Sequence, residues 1–86
     1  MSIVKVYTAP NCPLCLTLKN FLASIGVEYV ERDVSDIDVM AELIMNNVFA
    51  TSVPILEVDG KYYFVSDLFD SSSLKRDFVL KILGRC

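Results

Sequence analysis

Ile3-Val4-Lys5-Val6-Tyr7-Thr8-Ala9-Pro10-Asn11-Cys12-Pro13-Leu14-Cys15-Leu16 changes structural period in mid-stretch, and that change decides the fold. Ile3, Val4, Val6, Tyr7 and Thr8 form an apolar, β-branched run, and residues 2–8 read as a buried strand. Ala9-Pro10-Asn11 breaks the run. Pro13 then suits a first helical turn, where its missing N–H has no partner to lose. From there Leu14, Cys15, Leu18, Phe21, Leu22 and Ile25 recur at spacings of three and four and cover one helix face, with Thr17, Asn20 and Ser24 opposite. Gly26 is a natural stop. Cys12 therefore falls at a helix N-terminus, where unpaired backbone N–H groups and the positive end of the helix dipole stabilise a thiolate. Cys15 lies one turn inside, close enough to attack a mixed disulfide formed on Cys12. This is a layout for thiol–disulfide exchange.

Downstream, residues 27–33 alternate loosely and predict a second strand. Ser35 followed by Asp38 forms a capping box for a helix over about residues 36–46, with Ile37, Met40, Ala41 and Ile44 as its inner stripe. Asn46-Asn47 ends it. Residues 53–58 and 61–65 are β-rich runs joined at Asp59-Gly60, a strong signal for a tight hairpin. Ser66-Asp67 caps a final helix, whose Leu74, Phe78, Val79, Ile82 and Leu83 repeat helically up to Gly84; the serines at 71–73 interrupt its first turns. No repeat or linker divides the chain, so residues 1–86 are read as one domain in the order β-α-β-α-β-β-α. Strand–helix–strand implies a right-handed crossover and a parallel pair, and the hairpin must be antiparallel. The fold class is α/β, a four-stranded mixed sheet flanked by three helices.

Composition narrows the function. Eighty-six residues approach the lower limit for a self-sufficient core, and 53% apolar content compensates. Net charge is −3 and no Lys/Arg run exceeds Lys75-Arg76, so the basic stripe of a nucleic-acid binder is missing. No apolar run approaches the ~20 residues of a membrane span. Strand-like sequence from Ser2 leaves no room for a secretory leader, and the expected location is cytoplasmic. There, paired thiols read as catalytic or metal-binding rather than as a structural bridge.

Cys12-Pro13-Leu14-Cys15 after the first strand, Ser52-Val53-Pro54 before the third, and the element order together resemble glutaredoxins and related small redoxins of the thioredoxin superfamily. Tyr7, Gly60 and Asp67 also match the family's pattern, and the resemblance covers the whole chain. It implies the thioredoxin fold. It implies too that Cys12 is the exposed nucleophile and Cys15 the resolving thiol, the two forming the redox-active disulfide, and that Pro54 is a cis-proline beside it. A cis bond before proline costs little. Pro13, Leu14, Val53, Pro54 and Asp67 become the substrate-binding positions, with the Val53 backbone pairing to an extended segment as in strand addition. Glutaredoxins usually carry Lys where this chain has Ala9, and Gly-Gly where it has Phe64-Val65. Those positions hold glutathione in the family, so the departures argue against glutathione as reductant. The implied partners are protein disulfides and an upstream reductase of thioredoxin-reductase or ferredoxin-linked type; no cofactor is implied, and the chain is expected to be monomeric.

Each reading has a plainer rival. Zinc wants four ligands, and three Cys with no His fall short, so no metal is expected. A redoxin fold kept for metal or iron–sulfur binding without turnover remains the alternative function. Cys86 reads as a frayed, exposed thiol, Lys19 as a solvated helix residue and Asp67 as a plain helix N-cap. Leu16, with Leu14 and Pro10, is expected to form an apolar patch suited to protein partners. Tyr62, Tyr63 and Phe64 read as core and sheet surface.

Overall fold

The computed structural model of the chain describes residues 3–48 and 52–84. Strand β1 (Val4–Thr8) leads through a turn to helix α1 (Pro13–Ser24). Strand β2 (Val30–Asp33), helix α2 (Ile37–Met45) and strands β3 (Ile55–Val58) and β4 (Lys61–Tyr63) follow. The sheet runs β2-β1-β3-β4, with β1 parallel to β2 and antiparallel to β3, and β4 antiparallel to β3. This is the expected four-stranded mixed sheet, with β1 and β3 as its two inner strands.

Alternation along β1 sends its side chains to two different layers. Val4 and Val6, with Leu56 and Val58 of β3, pack against Leu18 and Leu22 of α1 and against Leu68, Phe69 and Val79 from the C-terminal segment. Tyr7 and Ile55 point the other way and meet Val39 and Leu43 of α2 together with Val48. The β3–β4 turn has positive φ at both Asp59 (51°) and Gly60 (84°), the mirror-image turn whose twist matches the flanking strands.

Three expectations need correction. The final helix is split into α3 (Val65–Leu68), a two-stranded ribbon of β5 (Phe69–Asp70) and β6 (Ser73–Leu74), and α4 (Arg76–Ile82). The described residues thus hold four helices rather than three. Ser71 takes a positive φ of 57°, which turns the chain back, and the Lys75 N–H donates to the Leu68 carbonyl at 2.7 Å to close the ribbon. Leu68 and Phe69 are both buried, and consecutive buried positions suit a change of element better than one continuous helix.

The second correction is the face of α2. Val39 and Leu43 are buried, whereas Ile37 is 84% exposed and Ala41 and Ile44 also face outward. Only Met40 of the expected stripe is half-buried. Third, the caps shift. Asp36 caps α2 by accepting from the Asp38 N–H, while Ser35 donates its N–H and its hydroxyl to Asp33. Those two bonds, the hydroxyl's first, hold the Asp33 carboxyl below its ordinary range. Phe64, not Ser66, stands at the N-cap of α3.

Candidate active site

Strand β1 ends at Thr8, whose buried hydroxyl donates to Glu31 at 3.1 Å and whose carbonyl accepts the Val34 N–H at 2.8 Å. Those bonds anchor the start of the turn that follows. Asn11, with φ of 58°, bends the chain, and Cys12 then adopts an extended conformation as the N-cap of α1. Pro13 follows at the first helical position.

The Cys12 sulfur accepts the Cys15 backbone N–H at 3.1 Å. A serine or aspartate oxygen usually makes this N-cap bond. Here sulfur makes it, so a helix-end donor and the positive end of the helix dipole both act on the Cys12 sulfur. Cys12 and Cys15 are joined as a disulfide, with their Cα atoms 5.3 Å apart. The two sulfurs are not equivalent: Cys12 is half-exposed, whereas Cys15 is only 2% exposed.

The structure brings Val53 to this pair, its carbonyl oxygen 3.7 Å from the Cys12 sulfur. The Val53–Pro54 bond is cis and Pro54 is fully buried. Leu14 is half-buried against the larger core cluster, so most of it serves packing, while Pro13 is exposed. Leu16 is 56% exposed and Pro10 is exposed, which leaves apolar surface along the Cys12 turn. Asp67 is committed locally: its carboxylate accepts the Phe64 N–H at 3.0 Å. It occupies the third position of α3 and steadies that short helix. Phe64 itself is exposed, Val65 half-buried, and Cys86 lies outside the described residues.

Two polar arrangements near β1 escape a reading by periodicity. Lys19, four residues after Cys15, pairs with Glu31 at 3.2 Å, so the same carboxylate holds both α1 and Thr8. On the opposite face the buried Tyr7 hydroxyl donates to Glu57 at 2.7 Å, and Tyr62 packs beside it with ring centres 6.3 Å apart. Burial, then the bond to Glu57 and its charge, raise the Tyr7 phenol well above its ordinary value; Tyr62 is raised too, first by burial. The available signal was strand parity, since Tyr7 and Glu57 each sit on the face opposite Val6 and Leu56. Pairing them requires the β1–β3 register.

The sequence model of the glutaredoxin family matches residues 4–63. An uncharacterized glutaredoxin-like 8.6 kDa protein of the rubredoxin operon of Clostridium pasteurianum is 29% identical over 58 residues, which cover 67% of this chain and 77% of that protein. Among solved structures, the thioredoxin-like protein BC3987 superposes with a TM-score of 0.69 at 24% identity, covering 92% of this chain and 97% of its own. Glutaredoxin 1 from Francisella tularensis gives 0.67 at 23% identity, with 98% and 99% covered. The NrdH-redoxin from Escherichia coli, described as glutaredoxin-like with a thioredoxin-like activity profile, gives 0.59 at 18%, with 71% and 79% covered.

Proposed function

The chain belongs to the glutaredoxin family, and on that premise we propose that it is a dithiol oxidoreductase that reduces protein disulfides through Cys12 and Cys15. One observation carries the reading: the sulfur that receives the helix-end N–H is the accessible one, and its disulfide partner is buried. In the reduced protein the Cys12 thiolate attacks one sulfur of a target disulfide. A bond forms between Cys12 and that sulfur, and the target's other sulfur leaves as a thiolate and takes up a proton. Cys15 then loses its proton and attacks the Cys12 sulfur, and the target's first sulfur departs and is protonated. The target gains two electrons and two protons, and Cys12–Cys15 becomes the disulfide present here.

The Val53 carbonyl beside Cys12 supports a substrate chain lying against that edge, its N–H groups donating as a strand's would. Pro13 and Leu14 would flank it at the helix start. Ala9 in place of a cation, and the side chains of Phe64 and Val65 in place of glycines, support a donor other than glutathione. A flavoprotein or ferredoxin-linked dithiol reductase acting in the cytoplasm fits that reading. Asp67, occupied by the Phe64 N–H, is better read as a helix-stabilising residue than as a ligand contact.

The test is insulin-disulfide reduction with dithiothreitol, combined with alkylation of the reduced protein near neutral pH. Cys12 should be labelled first and Cys15 slowly; Cys15→Ser should trap mixed disulfides, and Cys12→Ser should be inert. Faster labelling at Cys15, mapped by mass spectrometry, overturns the assignment. Absence of turnover with metal retained on purification favours the binding-module alternative.

A further inference from the structure

A cleft runs along the solvent side of α1, away from the sheet. It consists of two adjoining cavities of about 890 and 490 Å³ that share Thr17, Leu74 and Arg76. Thr17, Asn20 and Ser24 of α1 form one wall; Ser72, Ser73 and Lys75, with Arg76, form the other. Half-buried Phe21, Leu74 and Phe78 supply an apolar floor. Sequence periodicity assigned Thr17, Asn20 and Ser24 to a solvated face, and the unexpected β5–β6 ribbon turns that face into a groove.

The charge here runs against the rest of the molecule. Residues 1–59 hold three Lys/Arg against eight Asp/Glu, whereas residues 60–86 hold five against three. Lys5, Lys19 and Arg32 are each committed to a glutamate. Lys75 and Arg76 form no ion pair among the described residues, and Asp77 is the one acid on the cleft. Cations with no ion pair among the described residues, beside an apolar floor, fit a ligand that is anionic and apolar in alternation. Thr17 donates to the Pro13 carbonyl at 3.1 Å, so one end of the cleft adjoins the turn that carries Cys12 and Cys15.

We propose that this cleft is a docking groove for an extended acidic segment of the protein whose disulfide reacts at Cys12, an inference that rests on the redox reading above. From Thr17 to Ser24 the groove follows α1 for roughly 10 Å, room for about three extended residues. Acidic side chains would meet Lys75 and Arg76, and an apolar one between them would rest on Phe21, Leu74 and Phe78. A small anion would leave that floor uncovered, which is why a peptide suits the groove better. The net negative charge elsewhere repels the same segment and so favours this approach.

Two synthetic peptides test it, each with the same internal disulfide and followed by Glu-Leu-Asp-Glu in one and Gln-Leu-Asn-Gln in the other. The reduced protein should react about fivefold faster with the acidic peptide at low ionic strength, a preference that added salt erodes. In the K75E/R76E variant, its fold checked by its amide spectrum, the ratio should fall to one or below; K75R/R76K should keep it. Equal rates with both tails, a ratio unchanged by K75E/R76E, or abolition of the preference by inorganic phosphate at matched ionic strength would each overturn the groove. If neither peptide is reduced, the redox reading fails, and the groove is then judged by titrating the oxidised protein with the acidic tail alone. Amide shifts confined to residues 17–24 and 72–78 uphold it; shifts elsewhere, or none, refute it.

Discussion

Helices α1 and α2 lie on opposite faces of one sheet, and their sequences present their faces very differently. In α1 the polar residues Thr17, Asn20 and Ser24 mark the outside, and Leu18 and Leu22 are fully buried where the pattern puts them. In α2, seven of nine residues are apolar, so periodicity offers two candidate inner faces and does not choose between them. The choice is made by the sheet. Lys5 of β1 and Arg32 of β2 present cations on that face, and both pair with Glu42, at 3.9 and 2.9 Å. Glu42 adjoins Leu43, and the orientation that satisfies it also seats Leu43 and Val39 on Tyr7 and Ile55. The ion pairs of Glu42, one of them with Lys5 far away in sequence, thus favour burial of the Val39–Leu43 stripe. The site follows the same division: the helix with the unambiguous face is the one that carries Cys12.

Removing packing from α1 should have the largest effect. Leu22 is fully buried in the larger cluster, among Leu18, Val6 and Val79. Leu22→Ala should cost about 2–5 kcal/mol in urea unfolding, since the cavity left behind adds to the lost transfer energy. Leu43→Ala, in the smaller cluster behind α2, should fall at the lower end of that range. A larger loss at Leu43 would invert the comparison and make the α2 face the principal core.

The α2 face is sharpened by its buried phenol. Tyr7→Phe deletes the 2.7 Å bond to Glu57, and a hydrogen bond to a charged acceptor is worth about 1.5–3 kcal/mol. The same variant has a signature in pH. Burial and Glu57 raise the folded-state value of Tyr7, so folding favours the neutral phenol. Its contribution is complete below the ordinary tyrosine value of about 10. It is lost as pH climbs above that value, because the unfolded chain ionises first. Wild-type stability should therefore decline above pH ~10. Tyr7→Phe should flatten the decline, leaving the part due to Tyr62, whose value is also raised. An unchanged alkaline slope would show that Tyr7 does not set it.

What could be read in the chain follows the same physical divide. Local rules sufficed for β1, α1 and the Asp59-Gly60 hairpin, because each depends on neighbouring residues and on backbone preferences. The cis Val53–Pro54 bond came from the family resemblance, not from any local pattern. The β5–β6 ribbon was not legible: Ser71 must take a conformation that favours glycine, and its serine neighbours suit several local structures. Nor was the occupation of Asp67 by the Phe64 N–H, since the helix it steadies is only four residues long. In the site, the Cys12–Cys15 pairing was available from spacing, but the carboxylate shared by Thr8 and Lys19 depends on the β1–β2 register.

The smallest expected effect discriminates most sharply between the two possible faces of α2. Ile37 opens the stripe expected to face inward, yet it is 84% exposed, and Asp36 has already capped the helix before it. If Ile37 were an inner residue, replacing it with serine would lose most of a buried side chain and cost upwards of ~2 kcal/mol. On the outward face almost no apolar area leaves contact with protein, and the remaining terms are small. Isoleucine and serine differ little in helix propensity, and the hydroxyl stays in water, so it needs no protein partner. Ile37→Ser should therefore shift unfolding stability by no more than about 0.5 kcal/mol in either direction. Paired with Leu43→Ala in the same denaturation series, it reads the rotation of α2 directly. A large loss at position 37 with little loss at position 43 would mean that the helix sits on the sheet by its other stripe, and that Glu42 does not choose the face.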